Sequence, residues 1–268
     1  MKNIYSKEYQ KFLKQKKQKS FVIVVIQISI LILFVVLWEL LARLNVIDSF
    51  ILSCPSNIVK VVIDLAKDGT LFMHMWTTLY EALVGFLIAT VVGTLVAILL
   101  WWNDTIYRVL DPYIVVLNSL PKIALGPVLI IWIGVGTKAI VAMDVLIMVV
   151  ITTLSMLNAF RACDKNQIML LKSMGASKFQ ILTKLILPNS LCDFISVLKI
   201  NVGLTWVGTI MGEYLVSKAG LGYLIVYGGQ IFNLDLVMAS TVLLCVMAGL
   251  MYMVVAAIEK RFNKKLKK

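Results

Sequence analysis

The stretch ACDKNQIMLLKSMGASKFQILTKLILP (162–188) sets a basic, polar-interrupted segment inside a chain that is otherwise largely apolar. Ile168, Leu171 and Met174 recur at helical spacing, and Gly175 is able to close a helix in the left-handed region. Ser177, with Gln180 three residues on, is a capping-box signature for a second helix, which Pro188 stops. Phe179, Leu182, Leu185 and Ile186 form its apolar stripe beside Lys178 and Lys184. The pattern predicts a short amphipathic hairpin between two membrane spans, with a face built to lie against a partner.

Composition supports the membrane setting independently. Hydrophobic residues make up 60% of the 268 and charged residues 15%, against roughly 45–50% and 25% in ordinary soluble domains. The net charge of +12 does not point to nucleic acid, because the segments 1–20 and 259–268 carry +11 of it. Basic flanks stay in the cytoplasm, so both termini are expected inside and the number of spans even. Six runs are long and apolar enough at about 20 residues each: Phe21–Leu44, Thr78–Trp101, Ile106–Ile133, Ala139–Phe160, Asp193–Glu213 and Leu236–Ile258. The first run continues past the length of a signal peptide with no small-residue cleavage site, which predicts a retained span. This threading leaves the 161–190 loop on the cytoplasmic side and the loops 45–77 and 214–235 outside. The loop near 102–105 fits less well, since it falls inside yet carries Asp104.

Three separated stretches also resemble a known family. Gly175 followed after nine residues by Leu185-Ile186-Leu187-Pro188 is similar to the C-terminal part of the EAA loop of bacterial ABC importer permeases. The segments LNSLPKIALGPVLIIWIGVGTKAIV (117–141) and GEYLVSKAGLGYLIVYGGQIFNLDLV (212–237) resemble further stretches of the subgroup handling nitrate, sulfonates, taurine and similar compounds. One departure stands out: Met169, followed by Leu170 and Leu171, occupies the place of the acidic residue that opens the family motif. The resemblance implies an all-α, type I permease-like integral membrane protein of about six transmembrane helices in the bacterial cytoplasmic membrane. It implies a coupling loop in which Lys172, Met174, Gly175, Ala176, Ser177, Lys178, Phe179, Gln180, Leu187 and Pro188 meet a cytoplasmic ATPase subunit dimer. ATP and Mg would sit on that partner, with no cofactor in this chain. A second permease copy or a paralogue, and an extracytoplasmic substrate-binding protein facing 48–75 and 217–233, complete the implied set. An ion-gradient-driven transporter or channel needing no ATPase is the alternative.

Candidates for the translocation path are the polar groups inside spans, which cost roughly 2.5–3.5 kcal/mol at mid-membrane and so face protein or water. Asp144 lies near the middle of its span, and Lys199 and Asn201 share the fifth. Glu81 and Glu213 fall near span ends and read most simply as interfacial. An Asp144–Lys199 ion pair is as compatible with the pattern as a solute contact. Pro121 and Lys122, followed by Gly126-Pro127, predict a bent or broken third span, whose freed backbone must be buried in protein or line a cavity. The other reading makes 106–120 an interfacial helix, with the span starting near Ile123. Gly203, Gly208 and Gly212 allow close helix approach, between subunits or within the chain.

The remaining residues assemble no chemistry. Cys54, Cys163, Cys192 and Cys245 lack metal-ligand spacing, and Cys192 and Cys245 are expected to be small buried hydrophobes. His74, the single histidine, is placed in an external loop with a structural or solvated role. Gly134–Lys138 lacks the phosphate-loop frame and reads as a tight turn between spans. No metal site is predicted. The domain reading is a basic arm (1–20), a permease domain (21–258) and a basic tail (259–268).

Overall fold

The computed structural model describes residues 7–44, 46 and 52–266, and all their regular structure is helical. In chain order the helices are α1 (Lys7–Arg43), α2 (Pro55–Lys67), α3 (Thr70–Trp102), α4 (Asp104–Ser119), α5 (Gly126–Ile133), α6 (Thr137–Arg161), α7 (Lys165–Ser173), α8 (Lys178–Ile181), α9 (Leu191–Val216), α10 (Leu221–Gln230) and α11 (Leu234–Leu266). A 3-10 turn (Lys122–Leu125) precedes α5. A π-helical turn (Leu182–Ile186) and a single α-turn (Leu187–Asn189) lead from α8 towards α9.

Among the described residues five helices are long and apolar enough to cross a membrane, and α4 with the Lys122–Ile133 segment makes a sixth if that pair, bent by 87°, is one span. The bend falls at Pro121, as its missing N–H predicts. Both basic flanks are helical where they are described. The helix of the first span already runs from Lys7, and α11 continues to Leu266. Residues 1–6 of the arm and 267–268 of the tail lie outside the described residues, as do 45 and 47–51 between α1 and α2.

The centre of the bundle is α3, α6 and α9. Ala82, Gly85, Ala89, Gly93 and Ala97 place a small residue on one face of α3 at nearly every turn, and Ala82, Ala89 and Ala97 are fully buried. That stripe lets α6 approach α3 closely: a side chain on Gly93 would fall 2.6 Å from Thr152 Cβ. In lipid, where apolar surface alone drives little association, close backbone approach and interhelical hydrogen bonds take over. Asn201 Nδ2 on α9 donates to Thr152 Oγ1 on α6 at 2.9 Å and to Thr90 Oγ1 on α3 at 3.1 Å, all three side chains buried. This is where Asn201 goes: it ties three helices together.

The glycines of the fifth span divide. Gly208 and Gly212 face α6 of their own chain, their would-be Cβ atoms 3.0 Å from the Cα of Asp144 and of Ile140, while Gly203 meets nothing within 4 Å. Lys199 is drawn away from Asp144 and pairs with Glu259 on α11. Cys192 and Cys245, expected inside, are exposed, while Cys54 is buried. Their small apolar side chains are as compatible with lipid as with a core, so hydrophobicity did not fix the direction they face.

α1 stands apart. Its apolar stretch Phe21–Arg43 has no buried window, and among the described residues it is tied down at its far end, by Ala42 and by Ser56 N–H donating to Glu39 Oε2 at 3.0 Å. The small-residue packing gives a first prediction. Gly208→Ala forces its methyl into Asp144 and should cost about 1–3 kcal/mol by overpacking, lowering the unfolding temperature in detergent. Gly249→Ala, with nothing within 4 Å, should leave that temperature unchanged or raise it slightly.

Candidate functional site

Functional side chains gather at the two ends of the α3–α6–α9 core. At one end lies the predicted hairpin. Asp164 Oδ1 accepts from Asn166 N–H at 2.8 Å and caps α7. Gly175 (φ 81°) closes it. The Ala176 N–H reaches Leu171 O at 2.9 Å and the Gly175 N–H reaches Lys172 O at 3.0 Å, the paired bonds of a Schellman ending. α8 then opens with both halves of the capping box: Ser177 N–H to Gln180 Oε1 at 2.8 Å, and Gln180 N–H to Ser177 Oγ at 3.3 Å.

Pro188 does not stop the helix as the sequence suggested. The chain remains helical through the π-turn, with Pro188 in the following α-turn, and the path breaks at Ser190 before α9 begins at Leu191. A proline in a first turn removes no bond that the helix would otherwise make.

The expected stripes split into an inner and an outer face. Ile181, Leu182 and Ile186 are buried against Ala97, Leu100, Met156, Leu157, Phe160 and Val197, with Ile168, Leu171 and Ala176 packed around them. Met174 and Phe179 point the other way, 73% and 63% exposed, together with Met169 at 67% and Leu170 at 61%. Lys172, Gly175, Ser177, Lys178, Gln180 and Pro188 are also exposed, and Leu187 is half-buried. Polar clamps hold the inner face down. Arg161 Nη2 donates to Asp104 Oδ1 at 2.7 Å and its guanidinium lies 3.4 Å over the Tyr107 ring, while the Lys178 ammonium donates to Trp102 O. Asp104, the residue that fitted its loop least well, is the anchor that Arg161 and Arg108 share.

At the opposite end the structure assembles a site only partly visible in the sequence. Glu81 and Glu213 are 1% exposed and Asp144 is fully buried, so all three carboxyls face protein rather than solvent. The helices that carry them extend past the apolar windows that placed them at span ends. Asp144 lies between Gly85 of α3 and Gly208 of α9 and accepts from Thr209 Oγ1 at 2.8 Å. The Glu81 and Glu213 side chains lie close to one another.

Glu213 also caps α10 from within the bundle by accepting the Gly222 N–H. His74 Nδ1 accepts the Gly220 N–H at 3.0 Å, and Thr78 Oγ1 accepts the Leu221 N–H at 2.8 Å. Three successive amides at the start of α10 are thus met by side chains of α3 and α9, with the carboxylate at the positive end of the helix dipole. The two glycines follow from this geometry. Gly220 has φ 114°, and a Cβ on Gly222 would come within 2.9 Å of Glu213 Cβ. His74 is therefore buried on α3, which begins at Thr70 rather than at Thr78, and stacks with Tyr223 at 6.1 Å between ring centres. Nothing in a single sequence signals the partners of a lone histidine, whereas the Gly-x-Gly seven residues after Glu213 was a readable hint.

The remaining path candidates do not converge on this cluster. Lys122, half-buried at the α4–α5 bend beside Pro121, donates to Asn118 O at 3.1 Å. Lys199 and Asn201 serve the contacts described above. Asp144 and Glu213 are brought together with Glu81.

Comparisons with known proteins decide what kind of molecule carries these two ends. Residues 89–268 match the family described as binding-protein-dependent transport system inner membrane component. The chain belongs to that family. It is 31% identical over 192 residues, 72% of this chain and 76% of the relative, to the formylaminopyrimidine transport permease protein ThiX of Halalkalibacterium halodurans. It is 25% identical over 245 residues, 90% of this chain and 89% of the relative, to the taurine transport system permease protein TauC of Escherichia coli. The putative aliphatic sulfonates permease SsuC of Bacillus subtilis is 26% identical over 233 residues, 86% of this chain and 83% of that one.

Solved structures share the fold. A chain of the inward-facing MetNI methionine ABC transporter superposes with a TM-score of 0.64 at 23% identity, covering 72% of this chain and 95% of that one. A chain of a bacterial ABC transporter for alginate import gives 0.64 at 12% identity, covering 93% and 98%. The protein is thus an ABC importer permease subunit for a small solute, a multi-span protein of the bacterial inner membrane. The choice left open by the sequence falls against the ion-gradient alternative.

The α10 cap generates a prediction. His74→Phe leaves the Gly220 N–H buried without an acceptor, a loss of roughly 1–3 kcal/mol. Amide exchange in the 217–224 segment, followed by mass spectrometry, should accelerate by about tenfold or more; unchanged exchange would show that the imidazole does not hold α10.

Proposed function

We propose that this permease is driven by a separate cytoplasmic ATPase that grips the 165–188 hairpin, and that ATP and Mg act there while this chain supplies no catalytic group. The observation that carries the reading is the outer hairpin face. Met169, Leu170, Met174 and Phe179 expose four large apolar side chains on an element whose opposite face is packed against the bundle and hydrogen-bonded to it through Lys178. A mobile tether would dissipate a push, whereas this hairpin passes it on through rigid contacts to α3 and α6 and directly into α9. Met169 stands where the family's acidic residue is expected, so docking here relies on apolar burial rather than on a carboxylate.

α9 joins the two ends. Its start follows the hairpin, and its far end carries Glu213, which holds α10. Displacement of the hairpin on ATP binding would therefore move the α9–α10 corner and open the opposite end of the path in alternation. Both termini lie in the cytoplasm in this scheme, and a second copy or a paralogue completes the path, with Gly203 free to contribute to that contact. A substrate-binding protein delivers the solute at the face formed by α2 and α10. Formylaminopyrimidine, taurine and aliphatic sulfonates, carried by the relatives, define the range of solutes, and nitrate or a vitamin precursor falls within the same size class.

Purification of the tagged protein from its native membrane should recover an ATPase subunit. Phe179→Ala and Met174→Ala should each weaken that association by about 1–3 kcal/mol, the burial value of one such side chain. Gly175→Arg, which breaks the left-handed turn, should abolish uptake while membrane insertion persists. Normal uptake by Gly175→Arg, or a transport-competent protein with no ATPase, would overturn the coupling scheme.

A further inference from the structure

The broken third span carries a charge that neither end of the core uses. Lys122 opens the 3-10 turn directly after Pro121, where α4 and the Lys122–Ile133 segment bend by 87°. Its depth follows from its neighbours. Ile114 of α4 packs with the cluster at the hairpin end. A Cβ on Gly126 would fall 2.6 Å from Met143 and from Leu215, which lie in the second turn of α6 and the last turn of α9, towards the other end. Lys122 therefore sits between the two ends of the core, at a depth where a cation is costly unless it faces protein or water.

This chain supplies neither a cover nor a counter-ion for it. Among the described residues α4 has no buried side chain, and Gly126 alone is buried between Lys122 and Ile133. Lys122 is half-buried and forms no ion pair with a described residue. Asp144, next in sequence to the Met143 that meets Gly126, is fully buried between Gly85 and Gly208 and is not exposed on this face. The Lys122 ammonium turns back onto the last turn of α4 and donates to Asn118 O at 3.1 Å, so its stem does not stretch towards a membrane surface as a snorkelling lysine would. An ammonium has three donors, and this bond uses one. Pro121 offers no N–H to the carbonyls that end α4, and such backbone is tolerated at membrane depth where it meets protein or lines a water-filled cavity.

We propose that Lys122 is a specificity-determining residue of the translocation path, placed to hold the anionic group of the solute, a sulfonate, carboxylate or phosphate, as it passes the bend. The inference rests on the importer reading, in which a second copy or a paralogue closes a path over this face, and it narrows the substrate class. Lysine and arginine select anions in pores because a fixed cation in a narrow, poorly screened passage attracts one sign of charge and repels the other. The two unused N–H donors match the oxygens of such an anion through charge-assisted hydrogen bonds. Among the solutes named for the relatives, an aliphatic sulfonate meets the requirement by its charge, whereas a cationic amine would meet like charge at the bend.

The test needs no knowledge of the natural solute. Ser119→Cys, one turn before Lys122, is introduced into the complex, which is purified from its native membrane into lipid nanodiscs. The new thiol is labelled with either an anionic sulfonatoethyl or a cationic trimethylammonioethyl methanethiosulfonate, and the rate at that cysteine is read by mass spectrometry. The ratio of the two rates, divided by the same ratio for 2-mercaptoethanol in free solution, removes differences in access and in thiolate fraction. It should favour the anionic reagent by about fivefold or more. Lys122→Gln should abolish the preference and Lys122→Arg should keep it, an effect that a lysine serving only to cap α4 would not produce. At Val135→Cys, in the turn before α6, the ratio should be indifferent to Lys122→Gln. No labelling of residue 119 by either reagent, a ratio of one, or a preference unmoved by Lys122→Gln would overturn the proposal. If Lys122→Gln fails to assemble, the ratio in the protein that keeps Lys122 decides the matter. The labelling needs no ATPase, so failure to recover one would count against the importer scheme and leave the role of Lys122 still readable.

Discussion

Close approach of three helices that must also bury polar side chains is the constraint on which the rest of the structure depends. In a bilayer, a helix gains little by exchanging lipid for another apolar surface, so α3, α6 and α9 are held by small residues and by hydrogen bonds. The alanine and glycine stripe from Ala82 to Ala97 supplies the first. The Asn201 amide, spanning Thr152 and Thr90, supplies the second. Everything of functional interest is mounted on the two ends of that core.

The ends are of opposite character. The hairpin end is clamped by cations, Arg161 onto Asp104 and Tyr107, and Lys178 onto Trp102, and it turns an apolar quartet outward. The other end concentrates carboxyls and uses one of them, Glu213, to hold the first turn of α10. Lys199, the cation nearest to the bundle centre in sequence terms, is held by Glu259. Among the described residues, acidic and basic side chains therefore do not pair across the core.

The hairpin was legible because its signals are local: a capping box, a left-handed glycine and helical spacing operate within a few residues of one another. Its two faces were not, since Phe179 and Leu182 are both apolar and only the position of α3 and α6 decides which is covered. The acidic cluster was read as scattered because an apolar window measures where a helix could leave the membrane, and α3 begins eight residues before the window that was assigned to it. For the same reason His74 was placed in a loop. The inside-out ambiguity of membrane helices accounts for Cys192 and Cys245, and for overlooking the Ala-Gly stripe, whose residues carry little hydropathy signal. The bend at Pro121 was readable from the missing donor, whereas its 87° size depends on packing.

The account stands on α9 as the rigid link between hairpin and acidic mouth. Its most direct test is a distance measurement by electron spin resonance across that mouth, between labels at Val135 and Lys218, in nanodiscs containing the permease with its co-purified ATPase. Trapping the ATPase with ATP and vanadate should shift the distance distribution by several ångströms, and Gly175→Arg should abolish the shift. A distribution indifferent to nucleotide, with the ATPase demonstrably bound and active, would contradict the link.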